Sequence, residues 1–219
     1  FLPYYTRINL EKEFRIYLFN PAIKKAGASA KDLAKKLGYK KDTINRWRRG
    51  ATKPSFRDLI KILSYLNLKI EQIWDKIITF SSQGCTGYFK LPVYFTFNET
   101  LSWFFGYRDG DGSKINPIIG ASSSPKEVDL LLKYKNIFDS LVKTTNKWSV
   151  YLYFIEPALT NEIKEKFSGE RIINYSGYKG NEGFVNTQIG ASRINGLFNN
   201  IESKLEFLLK HSPKQVQSA

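Results

Sequence analysis

The chain has 219 residues, 42% of them apolar, and a formal net charge of +14. This length suits one large or two small domains, and the positive charge favours a polyanionic partner. The single cysteine, Cys85, and the single histidine, His211, exclude a disulfide framework, a zinc finger and chemistry based on clustered histidines.

The first 19 residues contain the segment EKEFRIYLF, in which apolar and polar residues partly alternate. This pattern predicts a short strand or arm. Asn20 and Pro21 then resemble the N-cap and first residue of a short helix, because proline fits the first helical position. We expect that helix to end at Gly27.

The segment Ser29–Trp74 carries the clearest helical pattern. Ser29 and Asp32 form an S-x-x-D pattern that opens a helix, and Gly38 ends it. A second helix begins near Lys41 or Asp42 and ends at Gly50. Two helices joined by a tight glycine-containing turn are the helix-turn-helix arrangement. Apolar residues at helical spacing predict a third helix through Leu59, Ile60, Ile62, Leu63 and Leu66.

This segment is similar to the Cro/C1 (XRE) family of helix-turn-helix regulators. The matching features are Leu33-Ala34, Gly38, Ile44, Trp47, Gly50 and Pro54. Charge supports the resemblance, because residues 21–57 contain twelve basic residues against two acidic ones, a net charge of +10. The resemblance implies an all-α domain that binds double-stranded DNA.

The predicted second helix carries most of the residues that we expect to contact DNA. By position, the residues facing base edges in the major groove are Lys41, Asp42, Thr43 and Arg46. The residues expected to hold phosphates are Lys40, Arg49 and Lys53. Asn45, on the same helix, completes the predicted DNA-binding set.

The segment Thr79–Phe89 is rich in serine and glycine and has no helical period, which predicts a linker. We therefore expect an arm and helix-turn-helix domain at 1–78, a linker at 79–90 and a second domain at 91–219. Cys85 would be a free thiol in a reducing cytoplasm. Because no run of 18 apolar residues occurs, we expect no membrane partner and a nucleoid-associated cytoplasmic protein.

The segment Leu101–Ser113, LSWFFGYRDGDGS, is an apolar run that ends in aspartates and glycines. Asn98 predicts a helix N-cap, and Gly110 and Gly112 would end that helix through backbone angles that glycine accepts. Asp109 and Asp111 would then lie at its C-terminal tip, where the helix dipole is negative. A hard cation such as Mg²⁺ (or Mn²⁺) would relieve the repulsion.

This stretch resembles the signature helix of the LAGLIDADG homing endonucleases. Gly106 matches the packing glycine, Asp109 the first aspartate, and Asp111-Gly112 the final pair. The resemblance implies that Asp111 binds the divalent metal with help from the Gly110 carbonyl. The chain departs from the pattern in two places. Phe105 replaces a small residue, and Arg108 replaces an apolar one.

The rest of the second domain predicts strands alternating with helices. We expect two strands divided near Asn116-Pro117, a helix Pro125–Val142, a strand in KWSVYLYFIEP, a helix Ala158–Phe167, a hairpin turning at Gly180-Asn181 and a helix Ile194–Lys210. The expected fold is therefore multidomain, an all-α helix-turn-helix domain followed by an α+β LAGLIDADG-like domain. On this resemblance the candidate DNA-facing positions are Lys114, Asn116, Tyr151, Tyr153, Lys179 and Arg193.

A single signature helix implies a homodimer through the Leu101–Arg108 helix, with two acidic tips at the two-fold axis. The chain would then cut double-stranded DNA by magnesium-assisted phosphodiester hydrolysis, with Asp111 as ligand and Asp109 orienting the tip. Lys114 and Lys179 are the candidates for shielding the phosphorane charge. Two alternatives stay open. One is a transcription regulator whose LAGLIDADG-like domain no longer cleaves, which Phe105 and Arg108 favour. The other is an RNA-directed role such as intron splicing assistance.

Overall fold

The structure of the protein is a computed structural model. It describes residues 2, 5–81, 87–113, 118–175, 183–190 and 192–211, with the backbone alone at 113, 192–193 and 206–211. The chain divides into two compact units, the N-terminal unit Leu2–Val93 and the C-terminal unit from Tyr94 onward. The predicted residues that lie outside the described ranges are Cys85, Lys114, Asn116, Lys179 and the turn at Gly180-Asn181.

Helices make up most of the N-terminal unit. They are α1 (Lys12–Ala26), α2 (Ala30–Leu37), α3 (Lys41–Arg49) and α4 (Phe56–Tyr65), followed by a 3-10 helix at Ile70–Lys76. Ser29 caps α2 by accepting a hydrogen bond from the backbone N–H of Asp32, as the S-x-x-D pattern predicts. Gly38 and Gly50 end α2 and α3 in the left-handed conformation, at φ +76° and +78°. The predicted starts and ends of the two helices of the helix-turn-helix are therefore confirmed.

Helix α1 corrects the prediction for the first part of the chain. Residues 12–19 are helical rather than an extended arm, and Pro21 lies inside the helix rather than at its start. The reason is burial at helical spacing, because Leu18 and Ala22, one turn apart, lie on one buried face. Packing of that face offsets the hydrogen bond that Pro21 cannot donate.

Three antiparallel strands accompany these helices. They are β1 (Arg7–Leu10), β2 (Ile77–Ser81) and β3 (Tyr88–Lys90), and β2 pairs with both of the others. The predicted linker therefore contains strand residues at 79–81 and 88–89. Phe80 pairs with Phe89, and their rings stack with centroids 5.6 Å apart. These two aromatic side chains are buried, and this burial explains why a segment rich in serine and glycine includes strands.

The C-terminal unit has four helices and six strands among its described residues. They are α5 (Glu99–Gly110), β4 (Gly112–Ser113), β5 (Ile118–Ser123), α6 (Val128–Leu141), β6 (Lys143–Thr144), β7 (Ser149–Tyr153), α7 (Pro157–Lys166), β8 (Arg171–Tyr175), β9 (Phe184–Gly190) and α8 (Ser192–His211). A short 3-10 turn, Pro125–Glu127, precedes α6. Five of the strands form a sheet in the order β4-β5-β9-β7-β8. The predicted helices at 125–142, 158–167 and 194–210 correspond to α6, α7 and α8.

The predicted hairpin between β8 and β9 is wrong. Strand β7 lies between them, antiparallel to β9 and parallel to β8. A parallel pair needs a crossover connection, and α7 supplies it between β7 and β8. Val150 and Leu152 of β7 and Val185 of β9 are fully buried, so these two strands occupy the centre of the sheet.

Aromatic rings fill the core of the C-terminal unit. Phe104 of α5 stacks on Tyr134 of α6 with centroids 4.7 Å apart, and meets Phe198 of α8 edge to face at 5.5 Å. Phe138 packs against Trp148 in the same edge-to-face manner. Such contacts favour a fixed arrangement of rings. They therefore hold α5 in place on α6 and α8.

Candidate nucleic-acid interface and acidic helix tip

Helix α3 has one buried side and one exposed side. Ile44 and Trp47 are buried, and the Trp47 ring meets the edge of Tyr39 with centroids 5.0 Å apart. On the other side the predicted base-facing residues Lys41, Asp42 and Arg46 are exposed. Thr43 and Asn45 are half-buried beside them. The structure thus brings the predicted base-facing residues together on one helix.

The predicted phosphate contacts surround this helix. Lys40 is its exposed N-cap residue, and Arg49 in its last turn donates from Nε to the Asn45 carbonyl at 3.3 Å. Lys53 follows the helix and is half-buried, with its ammonium 4.3 Å from the centroid of the Tyr88 ring. A cation in the last turn of a helix, such as Arg49, also interacts favourably with the helix dipole.

Gly50 permits a close approach at the end of α3. A Cβ atom there would lie 2.6 Å from Nη2 of Arg15, in addition to the strain of the positive φ angle. Arg15 also donates from Nη1 to the carbonyl of Leu10 at 2.6 Å. A guanidinium therefore lies against the negative end of the helix that is expected to read DNA.

Sequence reasoning missed two residues next to this surface, Arg7 and Tyr88. Nη1 of Arg7 donates to the carbonyl of Lys53 at 3.1 Å, and Tyr88 lies under the Lys53 ammonium. Both residues belong to strands outside the helical segment. Since they are distant from Lys53 in sequence, no local pattern could have indicated them.

Helix α5 places the acidic tip where the sequence predicts it. Asn98 accepts a hydrogen bond from the backbone N–H of Leu101 at 2.9 Å, and the helix ends at Gly110. Asp109, Gly110 and Asp111 are all exposed. The tip is therefore accessible from solvent.

The structure requires glycine at position 112 for a reason other than the one predicted. Asp111 caps α5 with φ −109°, and neither Gly110 nor Gly112 has a positive φ angle. At Gly112 a Cβ atom would lie 2.4 Å from the carbonyl oxygen of Arg108, so any other residue would collide with the helix backbone. Glycine is required at this position for a close approach, not for an unusual backbone angle.

Arg108 and Phe105 point into their own unit. The Arg108 side chain is fully buried. Its Nη2 donates to Oδ1 of Asn195 and of Asn199, each at 2.5 Å, and its Nη1 forms an ion pair with Glu202. Phe105 packs edge to face on Phe198. The two departures from the LAGLIDADG pattern therefore lie on the buried side of α5.

The exposed side of α5 carries small residues. Ser102, Gly106 and Gly110 follow one another at four-residue spacing, and a Cβ atom at either glycine would meet nothing within 4 Å. The predicted dimer helix Leu101–Arg108 thus exposes this small-residue side, whereas Phe104 and Phe105 are buried. Beside it, Trp103 lies under the Lys133 ammonium at 4.1 Å.

The acidic tip offers carboxylate and carbonyl oxygens, the ligands that a cation such as Mg²⁺ takes. Within the described residues, no group of three or more histidine, cysteine, aspartate or glutamate side chains could hold a metal. Burial, and to a smaller extent the nearby carboxylates of Asp111 and Glu127, raise the pKa of the Tyr107 hydroxyl to about 12. Mg²⁺ binds through one or two carboxylates and keeps several waters. The exposed carboxylates of Asp109 and Asp111 are of the ligand type that this cation takes.

One face of the sheet carries a row of aromatic rings. Tyr153 lies between Tyr175 and Phe184, with centroids 5.0 Å and 4.2 Å away and nearly parallel planes. Tyr151 stacks on Tyr175 at 6.0 Å. The predicted DNA-facing residues Tyr151 and Tyr153 are half-exposed on this face, and the side chain of Arg193 lies outside the described part.

Comparison with known proteins places the helical segment in a class. Residues 22–73 match the family model described as helix-turn-helix. The chain therefore carries a helix-turn-helix domain, and such domains bind DNA. Searches with the chain found no match among curated proteins or solved structures. No described helix is both long enough and apolar enough to span a membrane.

Proposed function

We propose that the protein binds specific sites on double-stranded DNA, with α3 in the major groove. The observation that carries this proposal is the exposed side of α3, where basic and polar side chains lie opposite the buried Ile44 and Trp47. The family match supports it independently. The base-facing residues are Lys41, Asp42, Thr43, Asn45 and Arg46, and the phosphate-facing residues are Lys40, Arg49 and Lys53.

We further propose that the C-terminal unit is a LAGLIDADG-type endonuclease domain that works as a homodimer. The accessible tip at Asp109 and Asp111 supports this, together with the small-residue side of α5 beside it. Phe105 and Arg108 are buried in their own unit and so leave that side open to a partner helix. Helices pack closely where small residues meet.

In this proposal each chain contributes Asp111 and the Gly110 carbonyl to a shared site at the two-fold axis. When bound there, Mg²⁺ (or Mn²⁺) lowers the pKa of an attacking water and stabilises the leaving oxygen. Asp111 binds the cation, and Asp109 orients the tip. Lys114 and Lys179 stay the candidates for neutralising charge on the phosphoryl group.

Plasmid nicking in the presence of Mg²⁺ tests the nuclease proposal. The wild-type protein should cut plasmid DNA that contains its site, whereas Asp111→Asn should lose cutting and keep DNA binding. This change removes one charge per chain with almost no change in shape. Asp109→Asn should lose activity only in part. Full cutting by Asp111→Asn would exclude the proposed role of its carboxylate.

A DNA-binding regulator that does not cut is the second candidate. The observation that favours it is the match of residues 22–73 to the helix-turn-helix family model, which supports DNA binding alone. It predicts that the wild-type protein binds its site and leaves the plasmid intact with Mg²⁺ or Mn²⁺. The same assay therefore separates the two candidates.

A further inference from the structure

A pocket of about 520 Å³ lies beside α3. The six residues that line it are Arg7, Thr43, Trp47, Ala51, Thr52 and Lys53. Two of the six are cations, two carry hydroxyl groups and none is acidic. Guanidinium, ammonium and hydroxyl donors together suit the oxygens of a phosphate group. The pocket therefore has the chemistry of a phosphate site.

Backbone hydrogen bonds fix Arg7 at this pocket. Strand β1, which carries Arg7, is anchored to the segment after α3 at two points. The N–H of Ile8 donates to the carbonyl of Pro54 at 2.9 Å, and the N–H of Phe56 donates to the carbonyl of Thr6 at 2.7 Å. The guanidinium adds its own bond to the Lys53 carbonyl at 3.1 Å. A side chain supported by rigid elements in this way is held ready for a ligand.

Lys53 is held by an aromatic ring. Its ammonium lies 4.3 Å from the centroid of the Tyr88 ring, which β3 supplies. A cation over the face of an aromatic ring is attracted to it. Because a free lysine loses side-chain entropy when it binds, holding the ammonium in advance lowers that cost. Tyr88 is thus a positioning residue for Lys53.

We propose that Arg7, Lys53 and Tyr88 form a clamp for one backbone phosphate of bound DNA. The proposal rests on the proposed DNA binding and extends it to strands β1 and β3, outside the matched residues 22–73. Arg7 and Lys53 contact the phosphate, and Thr43 and Thr52 line the wall. A phosphate contact carries no sequence information, so the clamp strengthens binding to every sequence alike.

The decisive variants are Ala51→Glu and Ala51→Gln in the full chain. Ala51 is exposed and lines the pocket, so glutamate brings a negative charge there while glutamine matches its size. Binding to a 30-base-pair duplex of arbitrary sequence is measured by fluorescence anisotropy at several salt concentrations. Loss of one phosphate contact should lower the log-log salt slope by about 0.9 in Ala51→Glu relative to Ala51→Gln. The loss of affinity of Ala51→Glu relative to Ala51→Gln should then be about 3.5-fold larger at 50 mM than at 200 mM salt.

Two further pairs test the side chains of the clamp. Arg7→Gln should lower the slope by the same amount, whereas Lys69→Gln, which removes an exposed charge elsewhere in the unit, should leave it unchanged. Tyr88→Leu should weaken binding to all sequences. Tyr88→Phe, which keeps the aromatic ring, should bind DNA as the wild-type protein does. Wild-type binding by Tyr88→Phe would show that the aromatic ring, rather than the phenolic hydroxyl, positions Lys53.

The outcomes distinguish the clamp from DNA binding itself. If the wild-type protein does not bind the duplex, the proposed DNA binding fails and the clamp fails with it. If it binds, and Ala51→Glu behaves as Ala51→Gln while Arg7→Gln behaves as Lys69→Gln, DNA binding stands and the clamp is overturned.

Discussion

The phenolic hydroxyl of Tyr39 donates a hydrogen bond of 2.6 Å to Oδ1 of Asp58. Tyr39 lies in the turn between α2 and α3, and Asp58 lies in the first turn of α4. The other carboxylate oxygen of Asp58 accepts hydrogen bonds from the backbone N–H and the hydroxyl of Ser55. One carboxylate thus joins the turn of the helix-turn-helix to the cap of the next helix.

Tyr39→Phe should destabilise the N-terminal unit by about 1–2 kcal/mol, because it removes a hydrogen bond to a charged group that is only partly buried. The free energy of unfolding in urea measures the effect. Tyr17→Phe is the matched control, because the Tyr17 side chain is 68% exposed and the same hydroxyl is removed. Equal stability of the two variants would contradict a structural role for the Tyr39–Asp58 bond.

The stability supplied by Asp58 should depend on pH. Burial raises the pKa of the Asp58 carboxyl, but hydrogen bonds from Ser55 and Tyr39 outweigh burial and hold that pKa below its usual value. A carboxyl with a lowered pKa stabilises the folded state above the unfolded pKa of about 3.9. This stabilisation is lost as the pH falls through the lower folded pKa.

Urea unfolding of the wild type and of Asp58→Asn between pH 6 and pH 2.5 checks this expectation. The difference in their free energies of unfolding should be constant above about pH 5 and should shrink at lower pH. Comparison of the two proteins removes the contribution of the other carboxyl groups. A difference that grows on acidification would contradict the direction of the pKa shift.

Arg46 and Lys53 should affect DNA recognition differently. Arg46→Ala should relax the preference at one base position, at a cost of roughly 1–3 kcal/mol for the correct base. Lys53→Ala should weaken binding to all sequences alike and lower the salt slope by about one. Selection of binding sites from a random library, followed by salt titration, measures both effects. Indistinguishable behaviour of the two variants would show that the assignment of base and phosphate roles is wrong.

Arg108 should be essential for the stability of the C-terminal unit. Arg108→Met should cost about 3–5 kcal/mol, because it leaves the Glu202 carboxylate without its cation in a largely buried site. The double variant Arg108→Met/Glu202→Gln should recover part of that loss, since the unpaired charge is gone. A double-mutant cycle by urea unfolding gives the coupling energy, and strictly additive effects would argue against the ion pair.

Local signals in the sequence predict the helix-turn-helix segment well. Capping at Ser29, the left-handed glycines at Gly38 and Gly50, and the buried side of α3 all depend on residues within one or two helical turns. The same applies to Asn98 and the accessible position of Asp111. Lys41, Asp42, Thr43, Asn45, Arg46 and Arg49, which are predicted to meet DNA, therefore lie at exposed or half-exposed positions of α3.

The wrong or missing predictions share a physical cause, which is contact between parts of the chain that are distant in sequence. Burial of the Leu18 side of α1 overrode the strand-like composition of residues 11–19. Insertion of β7 between β8 and β9 replaced an expected hairpin. Arg7 and Tyr88 contact Lys53 from 46 and 35 residues away in the sequence.

The pairing of β1 with β2 also sets an order of events during synthesis. Arg7 is paired with Ser81, so β1 has no partner strand until the ribosome has released the end of β2. At about 5–20 residues per second, that wait lasts roughly 4–15 s. The helices of the domain contain mainly local contacts and can form earlier. Nascent chains from which residues 1–76 have emerged, but not β2, should therefore contain these helices without the β1–β2 pair.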